Sequence, residues 1–230
     1  MATLVQDNFT RADSTTTVGA PAVGSAPTVY GTWGIVSNTL YNQAQAVSGE
    51  EYCVWDAGVA DVDFTIDVTG FNTQECGIVL RNTDASNTNL LTLQSTQSTW
   101  FSQVAGTFTQ FSSFSAIVVP TRPFTIKLRC IGIDYWVYIG GVLQGYWQFP
   151  RYSTNTKFGV RVNGAVGTAT SPRYDNLLIE NAPTMPFYAK TGVVLDDDNV
   201  EGGGIWEPNA QSGWVYKGRA AKTDDTTGAT

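Results

Sequence analysis

The sequence contains no histidine. That removes imidazole acid–base catalysis, Ser-His and Cys-His nucleophile pairs, and histidine-ligated metals, and with them most hydrolase and metalloenzyme classes. Charge is also scarce: 14% of residues are Asp, Glu, Lys or Arg, against roughly 25% in an average soluble protein. The formal net charge is −7 and no basic block occurs, so the electrostatic footprint of a nucleic-acid binder is missing. Cys53, Cys76 and Cys130 are odd in number, widely spaced and without a C-x-x-C. They fit neither a disulfide framework nor a zinc ribbon, and read as buried, reduced packing residues. No apolar run approaches the ~18 residues of a membrane span. The opening Met-Ala-Thr-Leu-Val-Gln-Asp-Asn-Phe-Thr-Arg has neither the charged nor the apolar region of a secretory signal. The expectation is a protein made in the cytoplasm without an export signal, with no membrane and no nucleic-acid partner.

What is there is β-structure. The 230 residues are 42% hydrophobic, enough for one large all-β domain or one domain plus an appendage. Asp61–Thr69 alternates Val62, Phe64, Ile66 and Val68 with Asp61, Asp63, Thr65 and Asp67. Phe124–Cys130 alternates Phe124, Ile126, Leu128 and Cys130 with Thr125, Lys127 and Arg129. Both read as half-buried strands with one wet face. Gly140-Gly141, between Tyr135–Ile139 and Val142–Gln144, is a two-residue hairpin signal. Further strands are expected at Gly34–Val36, Glu51–Trp55, Cys76–Arg81, Leu90–Leu93, Trp100–Val104, Lys157–Val162 and Tyr174–Ile179. No helical stripe is sustained, and turn residues recur at the spacing of a sandwich or barrel.

Composition shifts near Ala182, where Pro183 and Pro186 break the pattern. The chain therefore divides into a sandwich, residues 1–182, and a mostly irregular C-terminal arm, residues 183–230. The arm cannot build its own core, yet carries Phe187, Tyr188, Trp206, Trp214 and Tyr216. Large aromatics on such a segment act as anchors, either folded back on the sandwich or gripping a neighbouring subunit.

Three constellations bear on chemistry. Paired carboxylates on a sheet face are what glycoside hydrolysis needs, but no Glu-x-Asp-x-Glu string occurs. Asp61, Asp63 and Asp67 read as the solvent side of a strand, and Glu50-Glu51 has no partner that sequence can name. Oxygen-rich loops suit calcium; Asp196–Asp198 with Asn199, and Asp84 with Asn82, Asn87 and Asn89, are such groups, though turn formation explains Asx clusters equally well. Aromatic faces suit sugars. Trp136 and Tyr138, on the opposite side of their strand from Tyr135, Val137 and Ile139, are the candidate glycan-facing pair.

Taken in order, several segments resemble a concanavalin A-like, laminin-G-type jelly roll. These are Asp7-Asn8-Phe9-Thr10-Arg11-Ala12-Asp13 with Gly31-Thr32-Trp33-Gly34-Ile35, Cys76–Asp84 leading to Asn89–Leu93, Phe124–Cys130 with Tyr135–Ile139 and Gly140-Gly141, then Phe158–Arg161 and Tyr174–Ile179. The resemblance covers about residues 3–181. It implies an all-β, two-sheet antiparallel sandwich. It also implies a structural clamp of Arg81 with Asp84 or Asp175, since a charge near a core must be paired, and a calcium position at Asp7 and Asp175. The "DNFTRADSTT…GTWGI" opening is similar to modules of tailed-bacteriophage virion proteins. That similarity implies a non-enzymatic accessory protein on the virion surface, with head decoration favoured over minor tail, a homo-oligomer attached to capsid or tail subunits through residues 183–230. A carbohydrate- or host-receptor-binding module is the alternative, and a glycoside hydrolase the weaker one. No cofactor beyond calcium is expected. Fold alone does not decide among these.

Overall fold

The computed structural model describes residues 1–42, 50–70, 75–93, 98–114, 123–163, 172–183, 205–209 and 213–217. Every regular element among them is a strand: β1 (Thr3–Asp7), β2 (Thr28–Tyr30), β3 (Trp33–Val36), β4 (Thr39–Asn42), β5 (Glu50–Asp56), β6 (Val62–Gly70), β7 (Glu75–Asp84), β8 (Asn87–Leu93), β9 (Ser98–Val104), β10 (Thr107–Phe114), β11 (Phe124–Ile131), β12 (Asp134–Ile139), β13 (Val142–Gln148), β14 (Lys157–Asn163), β15 (Arg173–Asn181), β16 (Ile205–Asn209) and β17 (Gly213–Lys217). The chain divides into two compact units, Met1–Ala182 and Pro183–Thr230.

The first unit is a two-sheet antiparallel jelly roll. One sheet has eight strands in the order β13-β12-β11-β6-β15-β4-β3, with β1 also paired to β15; the other has seven, β10-β9-β8-β7-β14-β5-β2. Alternation decides the core. From the eight-stranded sheet, Val62, Phe64, Ile66 and Val68, Ile126 and Leu128, and Val137 and Ile179 point inward. They meet Cys53, Trp55, Ile78, Leu80, Leu91, Phe158 and Val160 of the seven-stranded sheet, all fully buried. Trp33, Trp55 and Trp100 belong to this core, and Trp147 packs against it. The three cysteines are buried and free, and burial pushes the Cys130 thiol up to about 12.

The Gly140-Gly141 hairpin forms as expected, with Ile139 opposite Val142 and both glycines at positive φ, 56° and 81°. Both central positions of this turn need the left-handed region that side chains resist. In the second unit, β16 and β17 form an antiparallel hairpin pairing Trp206 with Tyr216 and Pro208 with Trp214. Phe187 and Tyr188, like Asp196–Asp198 and Asn199, lie outside the described residues.

Candidate functional site

The outer faces of the two sheets differ in kind. On the eight-stranded sheet, registers align Glu180, Asp63, Arg129, Trp136 and Tyr146 in one row across five strands. Asp63 is 1% exposed, which corrects its assignment to a wet strand face. Arg129 grips it with two 2.8 Å bonds through Nε and Nη2, and Lys127 Nζ lies 2.8 Å from its Oδ2. The stems of these cations keep water off a carboxylate that alternation alone would leave solvated. Burial by itself would raise the Asp63 pKa; the bonds from Arg129 and Lys127 outweigh it and hold the group below its ordinary value.

Next along the row, Trp136 and Tyr146 pack ring to ring, centroids 5.3 Å apart at 39°. Trp136 is buried and Tyr146 half-buried, so Tyr146 rather than Trp136 is the presented ring, and half-buried Tyr138 stands in the adjacent row opposite Lys127. The Tyr146 hydroxyl donates to Asp134 Oδ1 at 2.5 Å, and Gln148 Nε2 donates to the same oxygen at 2.8 Å. Burial, then the Asp134 carboxylate, pushes the phenol pKa up. Farther along the face, Asp67 accepts from Thr125 Oγ1 at 2.5 Å and Asn176 Nδ2 at 2.9 Å. The result is a half-buried Tyr146 packed on a buried indole with half-buried Tyr138 beside it, flanked by planar polar groups already fixed in position.

The outer face of the seven-stranded sheet is hollow and filled from within. Tyr52, Val54, Val79 and Leu90 are buried there, with Tyr30 and Phe101 packed against them. Arg161, 1% exposed, is paired with Glu50 through Nε and Nη2. Tyr52 bonds Gln103 over this floor at 3.0 Å. Glu51, the neighbour of Glu50, accepts from the Thr32 backbone at 3.0 Å and from the Asn42 side chain.

The clamp expected from the resemblance has a different partner. Arg81 is fully buried at φ 52°. Its ion pair is with Asp61 at 3.5 Å, and it donates to the carbonyls of Gly132, at 3.0 Å, and Ser153. Its guanidinium lies 5.6 Å from the Tyr135 ring centroid and 6.0 Å from that of Phe158. Arg81, held at positive φ, thus pairs with Asp61 rather than with either of the two aspartates that the sequence suggests. Asp84 instead caps the β7–β8 turn, accepting from Ser86 N at 2.7 Å and Asn87 Nδ2 at 2.9 Å. Asp175 accepts from the Asn176 backbone at 2.7 Å.

Calcium at Asp7 and Asp175 fits poorly. Asp7 Oδ1 takes the Phe9 backbone N–H at 2.9 Å and the Arg11 guanidinium. Asp7 Oδ2 is a buried atom with no hydrogen-bond partner. Yet among the described residues no group of three or more His, Cys, Asp or Glu side chains is gathered where a metal could sit. Two carboxylates, one committed to arginine, fall short of the roughly six to eight oxygens calcium takes.

Sequence reasoning does not single out Asp134, Tyr52, Gln103 or Arg161. The sequence offers Tyr146 as one of several aromatics able to line a sugar platform, but not its pairing: counting outward from Gly140-Gly141 sets Trp136 opposite Gly145. A bulge between Val137 and Tyr138 advances the register by one and brings Tyr146 there instead.

No protein-family profile and no curated protein matches the sequence. Among solved structures, the chain is similar to the carbohydrate-binding module CBM66 from Bacillus subtilis. The two are 15% identical, the match covers 68% of this chain and 96% of that one, and the TM-score is 0.53. It is also similar to the exoplasmic/lumenal domain of VIP36 in its Ca2+/Man3GlcNAc-bound form, at 8% identity, 76% and 89% coverage and a TM-score of 0.50. At these identities the likeness is one of fold, the concanavalin A-like jelly roll of the first unit.

Proposed function

We propose that this chain is a non-catalytic carbohydrate-binding module that reads a glycan across the outer face of its eight-stranded sheet. The observation that carries the reading is the ring pair Trp136–Tyr146, at 5.3 Å, with half-buried Tyr138 beside it. A sugar ring stacks its C–H face on an aromatic face while planar polar groups bond its hydroxyls. Tyr138 and Tyr146 supply the stacking, and Asp134, Gln148, Lys127 and Arg129 the polar rim. Asp63 and Asp134 are occupied by cationic or neutral donors, which suits recognition better than acid–base chemistry. The two neighbours of like fold, one titled a carbohydrate-binding module and the other glycan-bound, support the same direction. The test is a glycan array followed by calorimetry on the best ligand. Tyr146→Ala and Tyr138→Ala each weaken binding tenfold or more while leaving the thermal midpoint within a few degrees; unchanged affinity in both overturns the reading.

The second reading places the module on a bacteriophage particle, held to head or tail subunits by residues 183–230. What favours it is that Pro183–Thr230 forms a separate compact unit with its own hairpin, β16–β17, carrying Trp206, Trp214 and Tyr216. Removal of 183–230 then abolishes association with particles and leaves glycan binding intact. Normal incorporation of the truncated chain rejects the attachment role.

A further inference from the structure

The opening motif has a structural consequence apart from the sheet face. Residues 14–23 form a loop pinned at both ends. Ser14 exchanges backbone bonds with Ile35 at 2.9 and 2.8 Å, and Val23 exchanges them with Gln6 at 3.0 and 3.1 Å. In between, Arg11 Nη1 bonds the carbonyls of Val18 at 2.8 Å and Ala20 at 2.7 Å, and its own charge is met by Asp7. Opposite this loop run Ala26 to Trp33, with the Trp33 indole N–H held by the Tyr30 carbonyl at 3.3 Å. The two segments line an open cleft of about 460 Å3, within the ~300–1,000 Å3 range of small-molecule sites.

The chemistry of the lining selects a ligand class. Among the described residues that line it none is ionisable. Hydroxyls come from Thr16, Thr17 and Thr32, and apolar surface from Val29, Pro27, Ala20 and Ala26, with Val18 and Trp33 buried beneath them. The nearest charges are turned away and spent. Arg11 lies behind Gly19, and Glu51 lies behind Gly31 with its Oε2 holding the Thr32 backbone N–H. Gly31 sits at φ 96°, a conformation that side chains resist, so this wall favours glycine. A charged ligand would lose hydration here without a counter-charge. A neutral polyhydroxy ring gains hydroxyl partners that both donate and accept and apolar contact for its C–H faces.

We infer that the loop 16–20 and the segment 26–33 form a binding pocket for one terminal unit of a neutral glycan, separate from the tyrosine face. This rests on the reading of the chain as a glycan binder and adds a pocket to its surface platform.

The experiment is an amide and indole NMR titration of the full chain with glucose, galactose, mannose and fructose, and with glucuronate and galacturonate as charged controls. At least one neutral sugar is expected to shift Thr16–Ala20 and the Trp33 indole saturably, with uronates binding at least tenfold more weakly. Ala26→Trp, which fills the cavity from an exposed position, weakens that response more than tenfold, and Ala20→Trp repeats the test should the first variant fail to fold. Tyr146→Ala leaves it within twofold. No saturable response at these residues from any neutral sugar, or uronates binding equally well, overturns the pocket. Loss of oligosaccharide binding in Tyr146→Ala with a silent pocket rejects the pocket and keeps the face. A pocket that binds while Tyr138→Ala and Tyr146→Ala change nothing upholds the pocket and rejects the face.

Discussion

The Tyr52 hydroxyl donates to Gln103 Oε1 at 3.0 Å although β14, β7 and β8 lie between their strands. In a flat sheet, four strand spacings would set the two backbones ~19 Å apart. That is farther than a tyrosine, a glutamine and one hydrogen bond reach end to end. The seven-stranded sheet is therefore curled, and the bond spans its hollow above Val79 and Leu90. Both residues are buried, so Tyr52→Phe strands an unbonded carbonyl oxygen. The expected loss in urea unfolding is about 1–3 kcal/mol. Adding Gln103→Leu recovers part of it, because an apolar pair has no orphaned acceptor. A neutral Tyr52→Phe would mean the bond does not hold the curl.

Asp63 makes acid sensitivity assignable. Its folded-state pKa lies below the unfolded value near ~3.9, because the bonds from Arg129 and Lys127 exceed the cost of burial. The linkage sign follows: the stabilisation is complete above the unfolded pKa and is lost as pH falls through the folded one. Asp63→Asn is expected to cost about 2–4 kcal/mol at pH 7, since it leaves two cations facing a neutral amide. The gap to wild type narrows below pH ~4. Urea titrations at pH 7 and pH 3 measure it, and a gap that stays constant assigns the loss to packing rather than charge.

Asp175 has the opposite sign. Burial raises its pKa first, and the carboxylates of Asp67 and Asp7 add to the shift, against a lowering bond from the Asn176 backbone. A carboxyl with a raised folded pKa favours folding below its unfolded pKa, and that contribution is lost as pH rises through the folded value. Asp175→Asn keeps the oxygen that takes the Asn176 N–H and removes the repulsion. It should stabilise at pH 7, by under about 1 kcal/mol given its partial exposure, and show no gain below pH ~4. Thermal melts across that range check both the sign and the window.

What could be read in advance tracks what alternation encodes. β6, β11 and β12 show clean period-2 patterns, and their inner residues are the observed core. β1, β2, β4 and β10 are short or rich in Thr, Ser and Gln, and carry no comparable pattern. Alternation also names a face without saying what covers it, and so by itself it puts Asp63 in water. Pairings such as Glu50–Arg161, 111 residues apart, depend on sheet order, which local sequence does not contain. The candidate face fell between these cases: Trp136 and Tyr138 share it, but the bulge that presents Tyr146 depends on backbone geometry.

Arg81 separates a clamp made by one ion pair from a clamp made by a whole socket. The side chain is fully buried, whereas the side chain of its ion-pair partner Asp61 is 51% exposed. Two carbonyls and the rings of Tyr135 and Phe158 complete the surroundings of the guanidinium. An exposed partner at 3.5 Å contributes up to about 1 kcal/mol. Removing the guanidinium leaves buried carbonyls unbonded and a void between two rings. Arg81→Met should therefore cost about 3–5 kcal/mol, and Asp61→Ala about 1 kcal/mol or less. Arg81→Lys should resemble the methionine variant, because an ammonium cannot serve two divergent carbonyls and stack on the rings at once. Equilibrium unfolding of the three variants decides the matter. If Asp61→Ala proves as costly as Arg81→Met, the ion pair is the clamp and the socket only houses it.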